Sequence, residues 1–182
     1  MGKSGTGKTT LVKLITGELP APHDTVHYRL EDLSRFTEID MENYRKKIGI
    51  IFQDYRLFDE ASVKENIAYP LKIFGLGETI IETKVENSIK KLDLRKIMDT
   101  PIRFLSSGEK QKVCLARALV HNPEFVIADE PTGNLDRERT QEVADMLIEA
   151  NKIGNTIFLI THDIHLVHYL KDKHSIQVDI LK

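Results

Sequence analysis

The stretch "GKSGTGKTTLVKLITG" (residues 2–17) constrains this chain more than any other. Gly2, Gly7, Lys8 and Thr9 match the spacing G-x-x-x-x-G-K-[ST] of a phosphate loop, which normally links a buried strand to a helix. Glycines let successive backbone N–H groups turn toward one anion without obstruction from Cβ. Lys8 offers a point charge to terminal phosphates, and Thr9 offers a hydroxyl to Mg²⁺. The helix that follows aims its positive end at the same place. Only Met1 precedes Gly2, so the anchoring strand is expected upstream, with Met1 as its last residue. On this reading the N-terminal strands of the fold are missing from the sequence.

The rest of the chain alternates strand and helix patterns. Leu11, Leu14 and Ile15 recur at helical spacing, and Gly17 is a natural stop. A short strand is expected at Thr25–Tyr28 and a charged helix over 40–47. "IGIIF" (48–52) reads as a buried strand ending at Gln53. From Ser62 to His121 the pattern is helical, with Ile81, Val85, Ile89 and Leu92 on one face and a further helix from about Ser107. We read 62–121 as a helical subdomain within a single domain, 1–182. Strands then return at 124–128, 155–160 and 175–181, with helices over 137–153 and 163–171. This alternation argues for an α/β fold on a parallel sheet.

Composition narrows the function classes. Net charge is -2, from 26 basic and 28 acidic residues, so general nucleic-acid binding is not expected. The single cysteine, Cys114, excludes an internal disulfide and reads as a packed side chain in an apolar helix. No apolar run approaches the ~18 residues of a membrane span, so any membrane role implies a partner.

Further polar residues fall at strand and helix ends. In "FVIADEP", Asp129 and Glu130 directly follow an apolar strand. In a parallel sheet such ends lie at one edge, so both carboxylates can face the phosphate loop. Asp129 suits a Mg²⁺ shell, and Glu130 suits deprotonation of an attacking water. Gln53 and His162 end two other strands at the same expected edge. In "FLSSGEKQ", Ser106 and Glu109 have the spacing of a capping box, and Gly108 leaves backbone N–H groups open to an anion. His162, His165 and His168 invite a zinc reading, but no cysteine or carboxylate set completes it at a usual spacing.

The ordered set of phosphate loop, Gln53, "LSSGE", "IADEP", "GNLD" and His162 resembles the nucleotide-binding domain of ABC-type ATPases over nearly the whole chain. The resemblance implies a RecA-like core with an inserted helical subdomain, and Mg²⁺-dependent ATP hydrolysis. Gly2, Lys3, Ser4, Gly5, Thr6, Gly7, Lys8, Thr9 and Thr10 would form Walker A, and Asp129 would belong to Walker B. Glu130 would be the catalytic carboxylate, Gln53 the Q-loop residue, Asp136 the D-loop residue and His162 the switch histidine. Thr9, Gln53 and Asp129 would hold the metal. The family arrangement implies a head-to-tail homodimer, in which Ser106 and Gly108 of one copy close over ATP held by Lys8 of the other.

Within the family, "IGIIFQDYRLFDEASVKENIAYPLKIFG" and "IADEPTGNLD" are most similar to the bacterial cell-division ATPases of the FtsE type. Their membrane partner is of the FtsX type, which implies work at the cytoplasmic face of the plasma membrane. Partner contact is expected between Gln53 and Ile73, with Tyr55 and Leu57 as its probes. Lipoprotein-release and macrolide exporters share "DEPTGNLD" and form the alternative, as does a truncated interaction module without hydrolysis. An ABC ATPase acting on DNA would want a long heptad insertion, and none is present. The family has Gly where this chain has Ser107, whose Cβ is expected to crowd the shared site.

Overall fold

The computed structural model describes residues 7–133 and 135–173. Its centre is a parallel sheet of β3 (Ile48–Ile51), β4 (Phe125–Asp129) and β5 (Thr156–Ile160), in the order β3-β4-β5. Ile51 pairs with Ala128, and Asp129 with Ile160, so the three strands finish in step at one edge. Val126, Ile127 and Ala128 are fully buried, which explains why β4 reads as an uninterrupted apolar run. β5 differs from the expected buried strand: Thr156 and Phe158 are exposed, while Ile157 and Leu159 are partly buried against the core. Period-two alternation separates its two faces.

Helix α1 (Lys8–Ile15) starts at Gly7, whose φ of 83° is left-handed, and stops before Gly17 at φ 70°. Leu11, Leu14 and Ile15, whose spacing marks this helix, are partly covered, and its buried residue is Val12. Val12 meets Ile48, Ile127 and Ile160 in one apolar cluster, and Ile15 packs at its rim. The expected strand at Thr25–Tyr28 is shorter: β1 (His27–Tyr28) forms a two-residue antiparallel pair with β2 (Glu31–Asp32). Helix α2 (Glu38–Arg45) opens with a capping box between Thr37 and Asp40, earlier than the charge pattern over 40–47 implied.

The middle of the chain packs around its own apolar cluster. Ser62 and Glu65 form a capping box that starts α3 (Val63–Ile73). Helix α4 (Glu78–Lys91) buries Ile81, Val85 and Ile89 as their spacing predicts, with Leu92 packed at the edge. Helix α5 (Ser107–Leu119) joins this cluster through Val113 and Ala116, and joins the sheet's cluster through Cys114, Leu115 and Ala118. The contact with the sheet is close. A Cβ built on Gly49 of β3 would lie 2.3 Å from the Ala118 carbonyl oxygen, so only glycine fits there.

Helix α6 (Arg137–Lys152) is capped by Asp136 and covers the sheet with Val143 and Leu147. Helix α7 (Ile164–Lys173) packs on α6 through Leu166 and Leu170. The strand expected over 175–181 and the loop residues Gly2–Thr6 lie outside the described residues, as does Met1.

Candidate active site

The common sheet edge brings the chemistry together. β4 ends in Asp129 and Glu130, β5 leads into Thr161 and His162, and the first residue of α1 is Lys8. Glu130 is the hub. Its Oε1 accepts hydrogen bonds from Lys8 Nζ at 2.8 Å and from the His162 Nδ1 position at 2.7 Å. Its Oε2 accepts from the His162 backbone N–H at 3.2 Å. The Lys8 and Glu130 side chains are 10% and 7% exposed, while the His162 ring is 64% exposed. The carboxylate and the lysine are therefore held inside, and the imidazole forms the outer wall.

Glu130 reaches this position through an unusual backbone. Its φ is 46°, left-handed for a residue with a side chain. Its N–H donates to the Ile160 carbonyl at 2.8 Å, which extends the β4–β5 ladder one step past Asp129. Strain of this kind collects at functional sites, because the surroundings must over-determine it. Thr132 and Asp163 add a second tie between the two strand ends, with the hydroxyl donating at 3.2 Å.

The two neighbouring carboxyls are pushed in opposite directions. Burial raises the Asp129 pKa, and the adjacent Glu130 charge raises it further. Burial also opposes ionisation of Glu130, but the hydrogen bonds from Lys8 and His162 outweigh it and hold its pKa below the ordinary value. Glu130 is thus an ionised acceptor at neutral pH. Asp129 sits where a neighbouring cation would relieve an unfavourable charge, and that fits an oxygen ligand for a hard divalent ion.

The other expected site residues spread around this hub. Thr9 and Thr10 are exposed in the first turn of α1, and Gly7 caps it. Gln53 follows β3 at the same edge and is exposed. Lys3, Ser4, Gly5 and Thr6 lie with Gly2 outside the described residues. Ser106 and Gly108 stand at the start of α5, and the Ser106 hydroxyl is engaged in the predicted capping box, donating to Glu109 Oε2 at 2.6 Å. Asp136 is the N-cap of α6 and accepts from the Arg139 N–H at 2.9 Å.

Two arginines escaped the sequence reading. Arg117 of α5 donates to the Tyr55 carbonyl at 2.7 Å and to the Arg56 carbonyl, clamping the turn after Gln53. Tyr55 and Arg56 both have positive φ there, 62° and 46°. Cys114 Sγ contacts the same Tyr55 carbonyl at 3.4 Å, and burial pushes its thiol up to about 12, so it is not a nucleophile. A charged residue inside the apolar run "VCLARAL" was the available signal for Arg117. Arg139 donates to the Ser107 hydroxyl at 3.4 Å, and no sequence spacing pointed to that pairing. Tyr55 and Leu57, the residues expected to probe partner contact, are partly buried against the core. The exposed aromatics of this stretch are Phe58 and Tyr69, with ring centroids 4.5 Å apart.

Comparison with known proteins decides the family. The ABC transporter family model matches residues 1–133. This chain belongs to the ABC transporter family. It is the ATP-hydrolysing kind of subunit in that family. The cell division ATP-binding protein FtsE of Haemophilus influenzae is 38% identical, covering 92% of this chain and 77% of that protein. The Bacillus subtilis FtsE is 37% identical over 95% of this chain and 76% of its own length. Methionine import ATP-binding protein MetN 1 of Bacillus cereus is also 37% identical, but the match covers 50% of it. Among solved structures, the dimeric post-hydrolysis state of the ATP-binding cassette MJ0796, bound to ADP and Pi, superimposes with a TM-score of 0.81. It is 27% identical, with 93% of this chain and 75% of that one covered. CbiO1 of Clostridium perfringens, part of the cbiONQ ABC transporter complex, gives 0.81 at 32% identity, covering 93% and 68%.

Proposed function

We propose that this chain is the ATP-binding and ATP-hydrolysing subunit of an FtsE–FtsX-like membrane complex acting in bacterial cell division. The observation that carries the chemistry is Glu130, ionised and held between Lys8 and His162 at the sheet edge. Lys8 is placed to neutralise phosphate charge at the N-terminal end of α1. Glu130 takes the proton of the attacking water, and His162 holds the carboxylate and faces the transferred phosphate. Thr9, Gln53 and Asp129 would hold Mg²⁺, which supplies charge neutralisation on the β and γ phosphates. Asp129 supports this set by its place, buried at the end of β4 beside Glu130.

Two copies would meet head to tail, with Ser106, Gly108 and Asp136 of one copy completing the site of the other. A dimeric cassette among the structural relatives supports this arrangement. The helical block 62–121 would act as the unit that moves. No helix among the described residues is long and apolar enough to cross a membrane. An integral-membrane partner resembling FtsX would hold the subunit at the cytoplasmic face, and the Phe58–Tyr69 pair is an exposed apolar feature of the stretch 53–73 available to it.

The FtsE relatives favour division; MetN 1 at similar identity favours an import ATPase as the second reading. Co-expression with an FtsX-type membrane protein and, separately, with the permease of a methionine importer separates the two. Retention by the first alone, together with Mg²⁺-dependent phosphate release from ATP, is the expected result. Retention by the permease alone would overturn the division reading.

A further inference from the structure

Arg139 occupies a place that ordinary helix electrostatics disfavours. The start of a helix carries partial positive charge and attracts anions. Yet the Arg139 guanidinium lies against the first turn of α5: Nη1 donates to the Ser107 hydroxyl at 3.4 Å. Its stem runs flush along Gly108, where an added Cβ would meet Arg139 Cδ at 3.2 Å and Nε at 3.3 Å. The side chain starts from a fixed point, because Asp136 binds the Arg139 backbone N–H at 2.9 Å and Nε at 3.5 Å. The nearby carboxylates of Asp136 and Glu109 cap α6 and α5 and offset only part of the guanidinium charge, Asp136 through that 3.5 Å ion pair. A like-charged helix end and guanidinium therefore converge on one half-exposed spot, and an anion arriving there would satisfy both.

We propose that Arg139 is a positioning residue of the shared nucleotide site. It holds the Ser107–Gly108 turn in place and adds its charge to the end of α5 that receives the phosphates bound by the second copy. Ser107 is then not an obstruction but the handle by which α6 holds that turn. The inference rests on the head-to-tail reading above.

The test uses Glu130→Gln protein, which slows ATP consumption, with Arg139→Ala, Arg139→Lys and Ser107→Gly added singly and Arg139→Ala with Ser107→Gly together. Sedimentation with Mg²⁺-ATP reads dimerisation; titration with ATP at low protein concentration reads each copy's own site. Arg139→Ala should weaken the ATP-dependent dimer by roughly tenfold, the size of one charge-assisted hydrogen bond, while ATP affinity of the single copy stays the same. Arg139→Lys should recover part of the loss, because it restores charge without the fork. Ser107→Gly should weaken the dimer in the parent and do nothing further beside Arg139→Ala. A parent that dimerises with ATP while Arg139→Ala dimerises equally well overturns this inference alone. A parent that never dimerises overturns the shared-site reading and this inference with it.

Discussion

Replacing Glu130 with Gln should separate ATP binding from hydrolysis, and the geometry gives both sizes. The substitution keeps the shape of the side chain and one acceptor oxygen but removes the negative charge. Losing a general base slows hydrolysis by ~10²–10⁴-fold. The second effect comes from Lys8, which is held by Glu130 at 2.8 Å and must turn to a phosphate when ATP arrives. A hydrogen bond to a charged partner contributes about 1.5–3 kcal/mol and a neutral one about 1, so Lys8 is released by roughly 0.5–2 kcal/mol. That difference appears as ATP affinity, tighter by about 2–30-fold. Calorimetric titration with Mg²⁺-ATP measures the affinity, and single-turnover phosphate release measures the chemistry. Equal affinity in parent and variant would show that the Lys8–Glu130 contact does not compete with phosphate. Equal hydrolysis in an active parent would remove Glu130 from the mechanism.

Lys8→Ala should act in the opposite sense, abolishing most ATP binding because its charge acts in the ground state; unaltered titration curves would contradict it. Gly49→Ala should lower stability by about 1–3 kcal/mol or more, since its Cβ would lie 2.3 Å from the Ala118 carbonyl oxygen, and an unchanged urea midpoint would refute the close contact. His121 should make the fold acid-sensitive: burial holds its pKa below the ordinary value, with the Ile48 carbonyl raising it and Lys84 lowering it. Stability from the neutral ring is then complete above pH ~6.5 and lost as pH falls toward the folded value. The urea midpoint should drop between pH 7 and pH 5, and drop less in His121→Gln; parallel curves would exclude the histidine. Phe58→Asp with Tyr69→Asp should abolish retention by the membrane partner while ATP binding persists, and normal co-purification of the double variant would move the partner surface elsewhere.

The strand ends were legible because buried parallel strands are short apolar runs, and "IGII" and "FVIAD" admit few other structures. Glu130 and His162 could be placed at one edge from those runs alone. Their direct bond could not, because it depends on a left-handed Glu130 that no local pattern marks. The buried face of α1 is not legible for a similar reason: Leu11, Val12, Leu14 and Ile15 are all apolar, and only the packing on Ile127 and Ile160 selects Val12. Tyr55 and Leu57 are legible as residues of the loop after Gln53, but their partial burial is not. The Arg117 clamp from a helix far along the chain folds that loop back onto the core. Contacts between distant segments leave no periodic trace, and Arg139 on Ser107 is the plainest case.

The absence of a side chain at Gly49 also has a mechanical consequence. Helix α5 touches the sheet with no cushion at its Ala118 end, while Ser107 stands at its other end. At 1.5 Å per residue, the eleven steps between them make an arm of about 16 Å. A tilt of about ten degrees about that near-fixed point carries Ser107 roughly 3 Å, the length of a hydrogen bond. The chain therefore has a short arm pivoting beside the strand that leads to Gln53, so a small rotation there becomes a hydrogen-bond-sized movement at the far tip.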